Sequence, residues 1–192
     1  MIRIGILGDI GSGKSYVARE FGYPVFNADN EVAKLYKENK KCFYNLKKKL
    51  PDFIFSFPIK KIELSNAINF RKKNLSIIEK IIHPEIQNKM KKFISKNKNK
   101  KIIIFDVPLF MENKLNKKND ILIFVDSNKK EIYKRLKKRV NFSKKLIKKL
   151  KKTQFSLKFK KKHSDFIIKN NFKKNDLKKN VTNVLKNILL NA

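Results

Sequence analysis

Apolar positions along the chain form two kinds of pattern, and the two alternate. Short unbroken runs occur at 2–7 (I-R-I-G-I-L), 24–27 (P-V-F-N), 101–108 (K-I-I-I-F-D-V-P), 121–126 (I-L-I-F-V-D) and 165–170 (D-F-I-I-K-N). β-branched and aromatic residues bounded by charge, Gly or Pro predict buried strands there. Between them, apolar residues recur at helical spacing over 15–21, 28–39, 128–139, 143–162 and 175–190, the last through Leu177, Val181, Val184, Leu185, Ile188 and Leu189. Residues 41–100 hold no convincing strand run. The stretches 41–50, 60–69, 74–82 and 85–96 have helical spacing, punctuated by Pro51, Pro58 and Pro84, and predict a helical insertion. Strands alternating with helices predict an α/β fold with a parallel sheet.

Length changes the picture little: 192 residues suit one compact domain with a small lid. One cysteine, Cys42, excludes a disulfide scaffold and fits a reducing cytoplasm. No apolar run reaches the roughly 18 residues that span a bilayer, so no membrane association is expected. The N-terminus reads as a strand and not as a signal peptide. Charge is more pointed. Lys and Arg number 49 against 16 acidic residues, a net +33, which invites a nucleic-acid reading. Yet only Arg3, Arg19, Arg71, Arg135 and Arg139 are Arg, whereas nucleic-acid sites favour its fork. The Lys are scattered among Asn, Ile and Phe, residues with AT-rich codons. The excess reads as drift of a solvated face, with no specific nucleic-acid partner, and an Arg kept among so many Lys is held by geometry.

All five Gly lie in the first 22 residues. Gly8, Asp9, Ile10, Gly11, Ser12, Gly13, Lys14 and Ser15 satisfy G-x-x-x-x-G-K-[ST] between a predicted strand and a predicted helix. Such a loop cradles phosphates on backbone N–H groups at the positive end of a helix. Lys14 reaches the β/γ-phosphates and the Ser15 hydroxyl ligates Mg²⁺. With no Gly after residue 22, the D-x-x-G segment of switch GTPases and the Gly-rich signature of transport ATPases are impossible. Asn116-Lys117-Lys118-Asn119 has Asn where a guanine reader needs Asp. A small-molecule kinase with a water-excluding lid remains.

Phosphoryl transfer to a hydroxyl needs carboxylates. Asp29 and Asp106 end predicted strands, where ligands bind in such folds. Asp29 is an acceptor-side carboxylate or a helix N-cap. Asp106 is a Mg²⁺-orienting acid or a loop cap.

The segments G-I-L-G-D-I-G-S-G-K-S-Y-V-A, F-G-Y-P-V-F-N-A-D-N-E-V-A, I-I-H-P-E-I, F-D-V-P-L-F-M-E, R-L-K-K-R, Gln154 and H-S-D-F-I-I-K-N-N occur in that order. Together they resemble the dephospho-CoA kinase family. The resemblance implies a P-loop kinase fold with a helical substrate-binding insertion and a helical lid. Its parts would be a nucleotide core (1–40, 101–127, 164–192), a helical substrate region (41–100) and a lid (128–163). It implies phosphorylation of the 3′-hydroxyl of dephospho-CoA by ATP with Mg²⁺, the last step of coenzyme A synthesis, with no obligate protein partner. It makes Asp29 the candidate base and Arg139 the lid cation facing the phosphates. Arg135 contacts the nucleotide, anchors the lid, or is a solvated helix residue. Tyr16 adjoins the loop on the nucleotide side. Asn170 lies near the adenine or is a turn residue, and His83 is a structural hydrogen-bonder or a ribose contact.

Three positions depart from the family pattern. Asp9 stands where the loop usually has Gly, and puts a negative charge near phosphates. Asn27 replaces the first acid of D-A-D. Phe172 replaces a usual Gly, so that turn is expected to differ. Rival readings are a nucleoside monophosphate type of P-loop kinase and a basic nucleic-acid-binding protein with structural ATP.

Overall fold

The computed structural model of the chain describes residues 1–138 and 144–191. They divide into two compact units, one of residues 1–27 and 97 onward, the other Ala28–Lys96.

The first unit is built on a five-stranded sheet of order β2-β3-β1-β4-β5, with every pair parallel. Its strands are β1 (Ile2–Gly8), β2 (Val25–Asn27), β3 (Ile102–Asp106), β4 (Ile121–Asp126) and β5 (Phe166–Lys169). They are the five apolar runs of the sequence. Because side chains alternate across a strand, Ile4, Ile6, Ile102, Ile104, Ile123, Val125 and Ile168 join one core. Val17, Ala18 and Phe21, from or just after α1 (Lys14–Glu20), complete it with Leu177, Val181 and Ile188 of α9 (Lys174–Leu190). Residues of opposite parity, Ile103, Phe105, Leu122 and Phe124, are also buried, so both faces are dry, as a parallel sheet requires. There Phe110 packs so closely on β1 that a Cβ at Gly5 would lie 2.5 Å from its ring. Gly5 is thus a packing glycine, outside the phosphate loop.

Arg3 explains its own retention. Its Nη2 donates to Asp120 Oδ2 at 3.1 Å, its Nε lies 3.0 Å from Oδ1, and its guanidinium sits 5.0 Å from the Phe105 centroid. Burial pushes the Asp120 carboxyl up from its ordinary value, against the Lys117 N–H and the Arg3 charge.

The remaining helices of this unit are α6 (Lys129–Lys137), α7 (Lys144–Lys152) and α8 (Leu157–Lys162). One helix was expected over 143–162. The structure breaks it at 153–156, where Ser156 Oγ caps α8 by accepting from Phe159 N at 3.1 Å and Glu112 takes the Phe155 N–H at 2.8 Å.

The second unit comprises α2 (Ala28–Glu38), α3 (Lys40–Lys49), α4 (Lys61–Phe70) and α5 (Lys72–Lys96). Its interior includes Leu35, Cys42, Leu46, Ile54, Ala67, Ile78 and Ile82. The sequence pattern placed a break at Pro84, but α5 runs through it. Pro removes one i→i−4 hydrogen bond and crowds the preceding turn. Here Pro84 and Lys80, whose carbonyl loses its partner, are both exposed, so water can serve that carbonyl. The buried stripe Ile78, Ile82, Ile86 continues across the proline and holds the helix together. Among the described residues, no helix is long and apolar enough to cross a membrane.

Candidate active site

The loop of residues 9–13 joins β1 to α1 at the C-terminal edge of the sheet. Gly13 is the N-cap of α1, with φ 90°, a conformation that costs an L side chain. A Cβ there would also lie 2.5 Å from Asn170 Nδ2. The loop is braced from behind through the Ser12 carbonyl, which accepts from Asn170 Nδ2 at 2.8 Å and Ser127 Oγ at 2.9 Å. The Ser12 hydroxyl is fully buried with no hydrogen-bond partner. Lys14 Nζ rests on the carbonyls of Asp9 (2.8 Å) and Gly8 (3.2 Å), so the loop gathers its cation beside the phosphate position. Ser15 is in the first turn of α1, and Tyr16 follows it, half-buried.

Asp106 ends β3, the strand next to β1, and is 4% exposed. Asn27, opposite it in the β2–β3 register, donates Nδ2 to Asp106 Oδ2. An ionised carboxylate at position 27 would have no hydrogen to donate to Asp106, whereas the amide does. Asp29 lies in the first turn of α2, inside the helix. It is therefore not the N-cap, and its carboxylate is exposed. His83 is exposed on α5. Asp29 and His83 belong to the helical unit, Asp106 and the loop to the sheet unit. Among the described residues no group of three or more His, Cys, Asp or Glu is placed to hold a metal. Mg²⁺ bound to phosphates needs only one or two protein oxygens, the remainder coming from phosphate and water. One hydroxyl, Ser15, and one carboxylate, Asp106, are hard oxygen donors that fit it.

Arg135, exposed on α6, places its guanidinium 4.5 Å above the Phe172 ring. The two line a cleft of about 200 Å³ with Gly13, Tyr16, Asn170, Lys173, Lys174 and Leu177. Asn170 is 3% exposed. Its amide donates to the loop and its Oδ1 accepts from Phe172 N at 2.9 Å, so it acts as a buttress of the loop that also borders this cleft. The turn after it was expected to differ for want of Gly. Instead Phe172 takes φ 64°, the conformation Gly favours, at a cost of roughly 1 kcal/mol that stacking against Arg135 offsets. Arg139 lies outside the described residues.

Sequence reasoning missed several residues that bear on this site. Ser127 follows β4 directly, and a hydroxyl at a strand end was a readable signal. Lys160 and Glu112 form a buried pair at 2.8 Å that ties α8 to the segment after β3. Glu112 Oε2 is buried without a partner. Lys151 of α7 pairs with Asp9 at 2.7 Å.

A parallel sheet in this strand order, with a G-x-x-x-x-G-K-S loop and an acid ending the adjacent strand, defines an α/β kinase of the P-loop class. The sequence model of the Dephospho-CoA kinase family matches residues 2–176. The chain is 31% identical to a dephospho-CoA kinase of Wolbachia pipientis, covering 98% of this chain and 99% of that one. It is 33% identical to that of Bartonella henselae, covering 98% of each. The chain belongs to the dephospho-CoA kinase family. Two solved structures share the fold. TT1252 from Thermus thermophilus has a TM-score of 0.77 at 24% identity, over 99% of this chain and 97% of that one. A Campylobacter jejuni dephospho-CoA kinase has 0.64 at 24% identity, over 97% and 96%.

Proposed function

We propose that this chain transfers the γ-phosphoryl group of ATP to the 3′-hydroxyl of dephospho-CoA, giving ADP and coenzyme A, the last step of coenzyme A synthesis. The observation that carries the reading is the complete phosphate loop, with Lys14 held on its carbonyls beside the strand that Asp106 ends, in a chain of this family. The acceptor oxygen attacks the γ-phosphorus, the bond to the β–γ bridging oxygen breaks, and its electron pair leaves with ADP. Asp29 takes the hydroxyl proton. Lys14 moves onto the β/γ-phosphates, where its charge opposes the charge that builds in transfer. Gly8–Tyr16 bind the phosphates, while Arg135 and Asn170 border the base. Ser15 and Asp106 would hold Mg²⁺, which when bound neutralises the β and γ oxygens. Residues 41–100 serve the acceptor, and 128–163 act as the lid that excludes water, with Arg139 its phosphate-facing cation. The reaction belongs to the cytoplasm and needs neither nucleic acid nor an obligate protein partner.

The test is a coupled ADP-release assay with dephospho-CoA, AMP, or no acceptor, and mass analysis of the product. Turnover with dephospho-CoA and a mass gain of one phosphoryl group is expected. Preference for AMP, or ADP release independent of any acceptor, overturns the reading.

A further inference from the structure

Asp9 sets a carboxylate in a loop that has to receive a polyanion. A fixed negative charge there repels phosphate, and a site partly closed from water screens that repulsion weakly. The structure gives this carboxylate two partners. Oδ1 accepts from Ile10 N at 2.7 Å, which turns the side chain back on its own loop. Oδ2 meets Lys151 Nζ at 2.7 Å. The Asp9 side chain is 8% exposed and that of Lys151 47%, so the ammonium reaches in from solvent to a carboxylate that is largely dry. The two also line one cavity of about 150 Å³ with Lys129, Ile132, Tyr133, Leu136 and Ile147. α6 and α7 therefore meet at Asp9.

α7 reads K-K-L-I-K-K-L-K-K, and its lysines look alike in the sequence. Lys148, Lys151 and Lys152 are all exposed, and Lys151 has a specific buried acid at hydrogen-bond distance. We propose that Lys151 is the dedicated counter-ion of Asp9, a positioning residue that neutralises the carboxylate and so makes this loop competent for an anionic phosphate donor, while docking α7 on the loop. The role follows from Asp9, and it exists only through Asp9. The proposal rests on the reading of the loop as the ATP site, but not on which acceptor is phosphorylated.

The experiment measures Mg·ATP binding by calorimetry, with kcat and KM for ATP from the ADP-release assay, in both Asp9 and Asp9→Gly backgrounds. Lys151→Ala is expected to weaken ATP binding on the order of tenfold, mainly in KM. Lys151→Arg should restore most of the loss, and Lys148→Ala and Lys152→Ala should leave binding as it was. Once Asp9→Gly has removed the carboxylate, adding Lys151→Ala should change ATP binding no further. An equal loss in both backgrounds would mean that Lys151 meets the phosphates itself, and overturns the proposal. So does unchanged binding in Lys151→Ala. Calorimetry needs no acceptor, so an error in the acceptor would abolish turnover in every variant and leave the binding pattern intact.

Discussion

Replacing Asn170 by Ala separates a buttress of the phosphate loop from a contact to the bound base. The side chain donates to Ser12 O at 2.8 Å and accepts from Phe172 N at 2.9 Å, at a site 3% exposed. Its own N–H, bonded to Asp126 O at 2.8 Å, survives the substitution. Ser12 O also keeps Ser127 Oγ, so that loss is one ordinary hydrogen bond, about 1 kcal/mol. Phe172 N–H is half-buried and loses the acceptor that holds it, for about 1–2 kcal/mol. Phe172 then has less reason to stay at φ 64°, and relaxing it withdraws the ring from Arg135. The total is about 2–3 kcal/mol. In a chain of this size that is a melting-point drop of roughly 5–10 °C. Urea melts should show a lower midpoint with an unchanged slope. Ser127→Ala, which takes one bond from the same carbonyl, should cost about 1 kcal/mol. ATP binding by Asn170→Ala should weaken as the loop loosens. If stability survives and only ATP affinity falls, Asn170 is a direct base contact and the buttress reasoning is refuted.

In the helical unit, Glu63 is 2% exposed and accepts from Phe55 N at 3.1 Å, from Ser56 N at 3.3 Å and from the Ser56 hydroxyl. Glu63→Ala should cost about 2–3 kcal/mol in urea melts at neutral pH. Burial alone would raise its carboxyl, but the Ser56 hydroxyl and the two N–H groups outweigh it and hold it below its ordinary 4.5. A depressed folded value gives stability above the unfolded value that fades as pH falls through the folded one. Glu63→Gln should therefore flatten stability against pH below about 4.5, and a parallel acid limb would refute this. Burial, with Glu85 nearby, pushes the Cys42 thiol up to about 11. Alkylation near pH 8 should therefore be slow in the folded protein and rise only with urea unfolding; rapid labelling without denaturant would contradict it. Arg139→Lys should lower kcat on the order of tenfold with little change in ATP affinity, whereas Arg135→Lys should be milder in kcat. Equal small effects at both would make Arg139 one more solvated cation.

What the chain shows openly is whatever repeats locally. The five strands are readable because buried parallel strands are written as unbroken apolar runs, and the phosphate loop because its chemistry is fixed by adjacent residues. The misreadings came where a local rule met a distant neighbour. Pro84 signals a stop, yet the apolar stripe on the opposite side of α5 outweighs it. The Lys-rich run 143–162 signals one helix, yet Glu112, 43 residues away, takes the Phe155 N–H and a serine cap starts a new one. Asp9 reads as a liability until Lys151, 142 residues on, is brought to it. Asn170 reads as a turn residue or a neighbour of the base, and the sequence does not show that its amide also lies under Ser12, 158 residues back. Arginine shows the same division. Arg3, Arg71 and Arg135 each lie over an aromatic ring, but so do Lys47 and Lys137, and Arg19 is exposed, so rarity alone does not mark a held position. For Arg71 the ring is the adjacent Phe70, whereas for Arg3 and Arg135 it is tertiary information. For Arg3 the ring and the acid partner both come from segments about a hundred residues away. In a chain this rich in Lys, charge alone says little about any position. Outside the phosphate loop, a lysine becomes informative when a buried acid fixes it in place, as Asp9 does for Lys151 and Glu112 for Lys160.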